Sequence, residues 1–199
     1  YRRDGKTNPV LTLNRSGLML LTGQYSPVVS MLTSLHCDTP REEAVRLSNL
    51  AFAYDGLQQT ERGITLIDSV IQIAEDSRKP DSAAESENLL TTALNNRGFM
   101  LWKAGRRDEA RAALRKAVDA LPTDRADHWR AQSNLAVAES STQMIDECLA
   151  WFKTTYGTSH PDYALCLRKK AEILLRQQQP ATALPLLKDY FNLRREYIM

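Results

Sequence analysis

The 199 residues are 43% apolar, 25% charged and 7% aromatic, a core-forming composition rather than a disordered one. The 26 basic side chains nearly balance the 24 acidic ones, so the net charge of +2 offers a polyanion no strong field, and no apolar run is long enough to cross a membrane. Cys37, Cys148 and Cys166 form no CxxC pair, which disfavours a disulfide framework and points to a reducing, cytoplasmic setting. The first residue is Tyr1, not Met, which suggests an excised piece of a longer protein.

Five stretches align without gaps, in windows 9–42, 44–77, 91–124, 129–162 and 164–197. In the first, Gly23-Gln24-Tyr25 interrupts an apolar segment. Thr39-Pro40-Arg41-Glu42 then reads as a capping box with Pro at the first helical position. The insert 78–90 contains Ala83-Ala84-Glu85, which predicts a helix extended backwards rather than a floppy linker. Ser82 and Glu85 form a second candidate box after Pro80-Asp81. Pro122-Thr123-Asp124 ends one helix and can cap the next. The last helix, from Thr182 onwards, finishes in apolar-rich Tyr190-Phe191 and Tyr197-Ile198-Met199. β-Branched alternation is missing, so no sheet is predicted.

The columns of this alignment carry the argument for paired helices. The eighth place holds Ser16, Ala51, Gly98, Ala136 and Ala171. The twentieth holds Val28, Gly63, Ala110, Cys148 and Ala183. The twenty-fourth holds Leu32, Ile67, Leu114, Phe152 and Leu187. Antiparallel helices approach closely only where small residues face each other, with larger side chains filling the space beside them. Five such sets argue for five helical hairpins.

The clearest copy is Leu94-Asn95-Asn96-Arg97-Gly98 through Gly105, Ala110, Leu114, Ala117 and Pro122. Here the sequence resembles the tetratricopeptide repeat family. The last two copies are similar to the kinesin-light-chain subtype, through Tyr156-Gly157-Thr158-Ser159-His160-Pro161-Asp162 and Ala183-Leu184-Pro185-Leu186-Leu187. Gln132, Glu139 and Lys170 depart from the family pattern, which predicts looser packing of the fourth hairpin. The resemblance implies an all-α solenoid of about five hairpins, one array over 1–199, wound into a right-handed superhelix whose first helices line the concave side. It also implies a protein–protein interaction module that binds a peptide or protein segment there, as a sensor or scaffold arm of a larger signalling or defence protein.

The sixth place reads Asn14, Asn49, Asn96, Asn134 and Lys169. Asn is a mediocre helix former, and its carboxamide can pair with both N–H and C=O groups of an extended peptide. In the family, asparagines at this place are known for that role. Bonding to a neighbouring helix or to water remains the competing reading. Phe52, Phe99 and Trp102, with Lys103, would flank the asparagines as anchors for partner side chains or, alternatively, fill the seam between hairpins. Arg130, Arg168, Lys169 and Arg176 would make the far end positive and suit an acidic partner feature, unless they form an ordinary solvated face.

Catalytic and metal constellations are not evident. His36, His128 and His160 fall in different repeats, with His160 suited to capping a helix, and His36-Cys37 would need distant co-ligands. Gly56, Gly63 and Gly105 are isolated, so no phosphate loop is formed. The expectation is a non-enzymatic chain without cofactor or metal. Nucleic acid is disfavoured because basic residues cluster at one end. Self-association through the C-terminal helix is the alternative function.

Overall fold

The computed structural model describes residues 8–78 and 83–196. Those residues form helices α1 (Pro9–Leu21), α2 (Tyr25–Thr33), α3 (Pro40–Gly56), α4 (Thr60–Asp76), α5 (Ala83–Lys103), α6 (Arg107–Asp119), α7 (Ala126–Glu139), α8 (Thr142–Tyr156), α9 (Pro161–Arg176) and α10 (Pro180–Glu196). No strand occurs among the described residues. The fold is all-α, built from consecutive helical hairpins.

Local chemistry sets the helix starts. The Thr39 hydroxyl accepts from the Glu42 amide at 3.1 Å, and the Glu42 carboxylate accepts from the Thr39 amide at 3.2 Å, completing the capping box. His160 caps α9, its Nδ1 accepting from the Asp162 amide at 3.2 Å. Asp124 does not cap α7. The N-cap residue is Arg125, without a side-chain cap bond. The Ser82–Glu85 box and the end Tyr197–Met199 lie outside the described residues. From Ala83 onwards the insert is helical, as its composition predicts.

Each hairpin turns through one left-handed residue: Gly23, Gln58, Gly105, Ser140 and Gln178. The next residue donates its amide back across the turn, as in Gln24 to Met19, Arg106 to Leu101 and Ser141 to Ala136. This 6→1 bond satisfies an orphan carbonyl at the end of each first helix. Glycine adopts the conformation without strain at Gly23 and Gly105.

These turns fix the register of the fourth hairpin. They lie 35, 47, 35 and 38 residues apart, so its turn comes three residues earlier than the gapless windows place it. The extra length follows α8, in the Tyr156–His160 linker. Ser133, not Ala136, is then the eighth-place residue of α7. Asn134 moves from the sixth place to the ninth, and Ala131 takes the sixth. Gln132 and Glu139 do not open this hairpin. Glu139 accepts from Arg115 at 2.9 Å, and Leu135 through Ala138 are buried.

The chain divides into two compact units, residues 1–106 and 107–199, with the boundary in the turn between α5 and α6. In the first, Leu13, Val28, Leu32, Leu50 and Ala53 form a core joining α1, α2 and α3. In the second, Ala171, Leu174 and Ala183 hold α9 to α10.

Three seams share two places of the following first helix, those of Ala53 and Gly56 on α3, but differ in chemistry. On α3, Arg46 donates to the Leu32 carbonyl at 3.1 Å, Ala53 is buried, and Gly56 lies under the Tyr25 ring. On α5, Arg97 bonds Asp68 at 2.6 Å and Lys103 bonds Asp55 at 2.6 Å, with Met100 buried between them. On α9, Lys170 bonds Asp146 at 2.5 Å and Arg176 donates to the Val137 carbonyl at 3.3 Å, with Ile173 buried.

Candidate functional site

The asparagine column occupies the edge where one first helix passes the next. The Asn49 amide donates to the Leu13 carbonyl at 3.2 Å and to the Ser16 hydroxyl at 2.9 Å, both on α1. Asn96 is half-buried on α5 and makes no side-chain hydrogen bond with the described residues. Asn14 is exposed on α1. Asn134, on α7 in the second unit, is half-buried and already has an interaction of its own. Asn14, Asn49 and Asn96 thus share one place within the first unit, and one of the three is committed to the seam.

Phe52, Phe99 and Trp102 are all half-buried on α3 and α5 of the first unit. The Lys103 ammonium lies 5.8 Å from the Phe99 ring centroid and 2.6 Å from the buried Asp55 carboxylate. Asp55 also accepts from the Thr60 hydroxyl at 2.9 Å. Lys103 is therefore a tied cation that fixes the Phe99 edge against α3. Nearer the start of these helices a cavity of about 780 Å³ opens, lined by Val45, Ile73 and Leu89 among others. The Arg41–Glu85 ion pair, 2.9 Å long, lies at its side. Val45 and Thr92, at the second place of α3 and α5, face this cavity. The sequence reading missed it, because its walls include the end of α4 and the backward extension of α5.

In the second unit the basic residues are largely neutralised. Arg130 bonds Asp162 at 2.7 Å and Asp127 at 2.6 Å. Arg168 lies 3.7 Å from Glu172, which also accepts from Arg176. Three cations thus share three carboxylates, one of which, Asp127, also lies 3.3 Å from Arg125, so little of their charge is left for an acidic partner.

Lys169 is held inside the unit, its ammonium donating to the Ser133 hydroxyl at 2.6 Å. Desolvation lowers its pKa below the ordinary lysine value, partly opposed by the neighbouring Cys166 thiol. Burial raises both nearby thiols, Cys166 to about 11 and Cys148 further still, so neither is a nucleophile at neutral pH. A cation whose folded pKa is depressed costs stability while charged, and that cost fades as pH rises toward its unfolded value. Lys169→Met should therefore melt above the parent at neutral pH. The gap should close as pH approaches 10.5, the ordinary lysine value. Parallel thermal melts across this range check the prediction, each kcal/mol relieved being worth about 2–4 °C.

The histidines have structural roles. His128 is buried with Nδ1 2.9 Å from the Leu121 carbonyl oxygen, and His160 stacks on Tyr156 at 4.6 Å. The exposed His36 lies 3.6 Å from Asp38. No group of His, Cys, Asp or Glu among the described residues is arranged to hold a metal ion.

Residues 91–124 match the tetratricopeptide repeat. A search of curated proteins finds no match. Among solved structures, similarity extends to nearly identical TPR-like repeats of a protein named as a kinesin light chain from Podosopora anserina. It has 16% identity and a TM-score of 0.61, over 96% of this chain and 99% of that one. BtubC (BKLC) from P. vanneervenii gives 15% identity and a TM-score of 0.63, over 92% and 78%. The Rap conjugation gene regulator of plasmid pLS20, solved in complex with the Phr* peptide, gives 14% identity and a TM-score of 0.70, over 94% and 53%. Residues 91–124 thus match the tetratricopeptide repeat, and the chain as a whole shares the fold of these TPR-like structures. No described helix is long and apolar enough to cross a membrane.

Proposed function

We propose that the chain is a protein-interaction module whose first unit binds an extended peptide segment along α3 and α5. The observation that carries this reading is that Phe52 on α3 and Asn96, Phe99 and Trp102 on α5 lie on two consecutive first helices whose starts line an apolar cavity. Asn96 offers a donor and an acceptor to peptide backbone. The rings give large contact area at low entropic cost, and the cavity admits an apolar side chain. Asn14 and the Asn49 carbonyl oxygen extend the polar contacts toward α1, while Lys103 rigidifies the Phe99 edge. The second unit's candidates are left out of this site: Arg130, Arg168 and Arg176 are paired, Lys169 is desolvated, and Asn134 lies outside the asparagine place. The peptide-bound Rap structure, of the same fold, supports peptide capture. The likeness to kinesin-light-chain repeats supports that subtype for the last two hairpins.

The module is read as non-enzymatic, one array over the whole chain, and a sensor or scaffold part of a larger signalling or defence protein. The described cysteines are free, which suits a reducing cytoplasm.

Selection from a displayed library of random unstructured peptides tests the site. Enriched peptides should bind the parent and lose about tenfold or more in affinity on Asn96→Ala or Phe99→Ala, with helicity unchanged. Equal binding to parent and variants, or no enrichment, overturns the assignment.

A further inference from the structure

The face on α3 and α5 is closed at both ends by an ion pair between the two helices. At one end Arg41 of α3 meets Glu85 of α5 at 2.9 Å. At the other, Asp55 of α3 accepts from Lys103 of α5 at 2.6 Å. Arg41, Val45, Ser48, Phe52 and Asp55 follow one another at helical steps, so they form one stripe of α3. Glu85, Thr92, Asn95, Phe99 and Lys103 form the matching stripe of α5. Between the two ion pairs both stripes are uncharged. Glu42, Glu43 and Arg46 of α3 fall on other sides of their helix, as do Glu87 and Arg97 of α5. There Glu43 holds Arg46 and Asp68 holds Arg97.

The uncharged stretch offers rings and neutral polar groups. Phe52 and Phe99 supply apolar area, Val45 and Thr92 border the cavity, and Ser48 and Asn95 are half-buried and neutral. From Arg41 to Asp55 it runs for about 21 Å at ~1.5 Å per residue, the span of about six residues of extended chain. A carboxylate or ammonium laid on it would lose water and meet no counter-ion, because the charges at its two ends already neutralise each other. The second unit differs. Register puts Arg168 and Glu172 of α9 at the places that Ser48 and Phe52 hold on α3.

We propose, on the basis of the peptide face assigned to α3 and α5, that this stretch selects a neutral segment. The segment is about six residues long, carries at least one large apolar side chain and is free of Asp, Glu, Lys and Arg. Discrimination comes from the missing counter-ions, so a charge of either sign is rejected. Long-range attraction adds little to such a contact, and affinity should stay nearly constant from low to high salt.

Selection from the displayed random library, read for composition, tests this. Peptides enriched on the parent and weakened by Phe99→Ala should share a neutral run with an aromatic or large aliphatic residue. Asp or Lys placed at the centre of that run should each weaken binding about tenfold or more. Loss with only one of the two signs, or a recurring charged residue inside the run, overturns the neutral occupant while leaving the face in place. Peptides unaffected by Phe99→Ala, or no enrichment, overturn the face and the occupant with it. Asp55→Asn keeps an acceptor for the Thr60 hydroxyl but leaves the Lys103 charge unmatched. Selection on that variant should add an acidic residue at one end of the run, and binding should then weaken as salt rises. Circular dichroism confirms folding. Thr92→Lys, at an exposed place, adds an unmatched cation without disturbing a buried group and replaces Asp55→Asn if helicity is lost. Selected peptides of the same charge from parent and variant overturn the proposal.

Discussion

Replacing Phe152 with alanine is expected to cost the second unit about 3–5 kcal/mol of stability. The ring is fully buried on α8. It meets Trp151 edge-on at 5.1 Å and stacks on His160 at 5.7 Å, while Tyr156 lies at 6.4 Å. Trp151 in turn stacks on Trp129 at 5.5 Å, so the cluster joins α7, α8 and the start of α9. Truncation removes the apolar transfer term and leaves a cavity whose walls are large rings that cannot collapse inward. It also removes the support under His160, the cap of α9. Denaturant unfolding should show the loss, and amide exchange should place its first effect at the α8–α9 junction. Tyr156→Ala, at a half-exposed ring of the same cluster, should cost much less.

The second large effect is expected at Gly63, in α4. A Cβ there would meet the Ala51 carbonyl oxygen at 2.9 Å and Met100 Sδ at 3.2 Å. Methionine can yield, but the carbonyl belongs to helix α3 and cannot move alone. Gly63→Leu must therefore push α4 off α3, at a cost of about 3 kcal/mol. Gly63→Ala gives the sharper sign test. In an ordinary helix that change gains up to about 1 kcal/mol, whereas here it should destabilise the first unit. Thermal melts of the two variants check both the order and the sign.

Much of this architecture was legible in the residues. Small-residue columns revealed the hairpins, and Thr39 and Glu42 revealed a helix start because both halves of the box are local. The register of the fourth hairpin was not legible. Ala136 and Ser133 are both small, and a gapless alignment accepts either. The turn at Ser140 decides between them, and serine is not a residue that advertises a left-handed turn. The asparagine column was visible as a pattern, but its partners were not. Asn49 bonds residues more than thirty positions away, which only a packed hairpin brings near. Part of the charge pairing could have been read directly. Arg130 with Asp127, and Glu172 with Arg168 and Arg176, follow three- and four-residue helical spacing. The bond from Arg130 to Asp162 spans two hairpins and needed the fold.

The differing chemistry of the seams has a consequence for assembly of the chain itself. Near-identical modules in tandem risk docking out of order, a known failure of repetitive chains. Here the Arg46 guanidinium reaches a carbonyl, Arg97 needs Asp68, and Lys170 needs Asp146. A module joined to the wrong neighbour would leave cations facing no acid, so each junction works as a private lock that discourages shuffling.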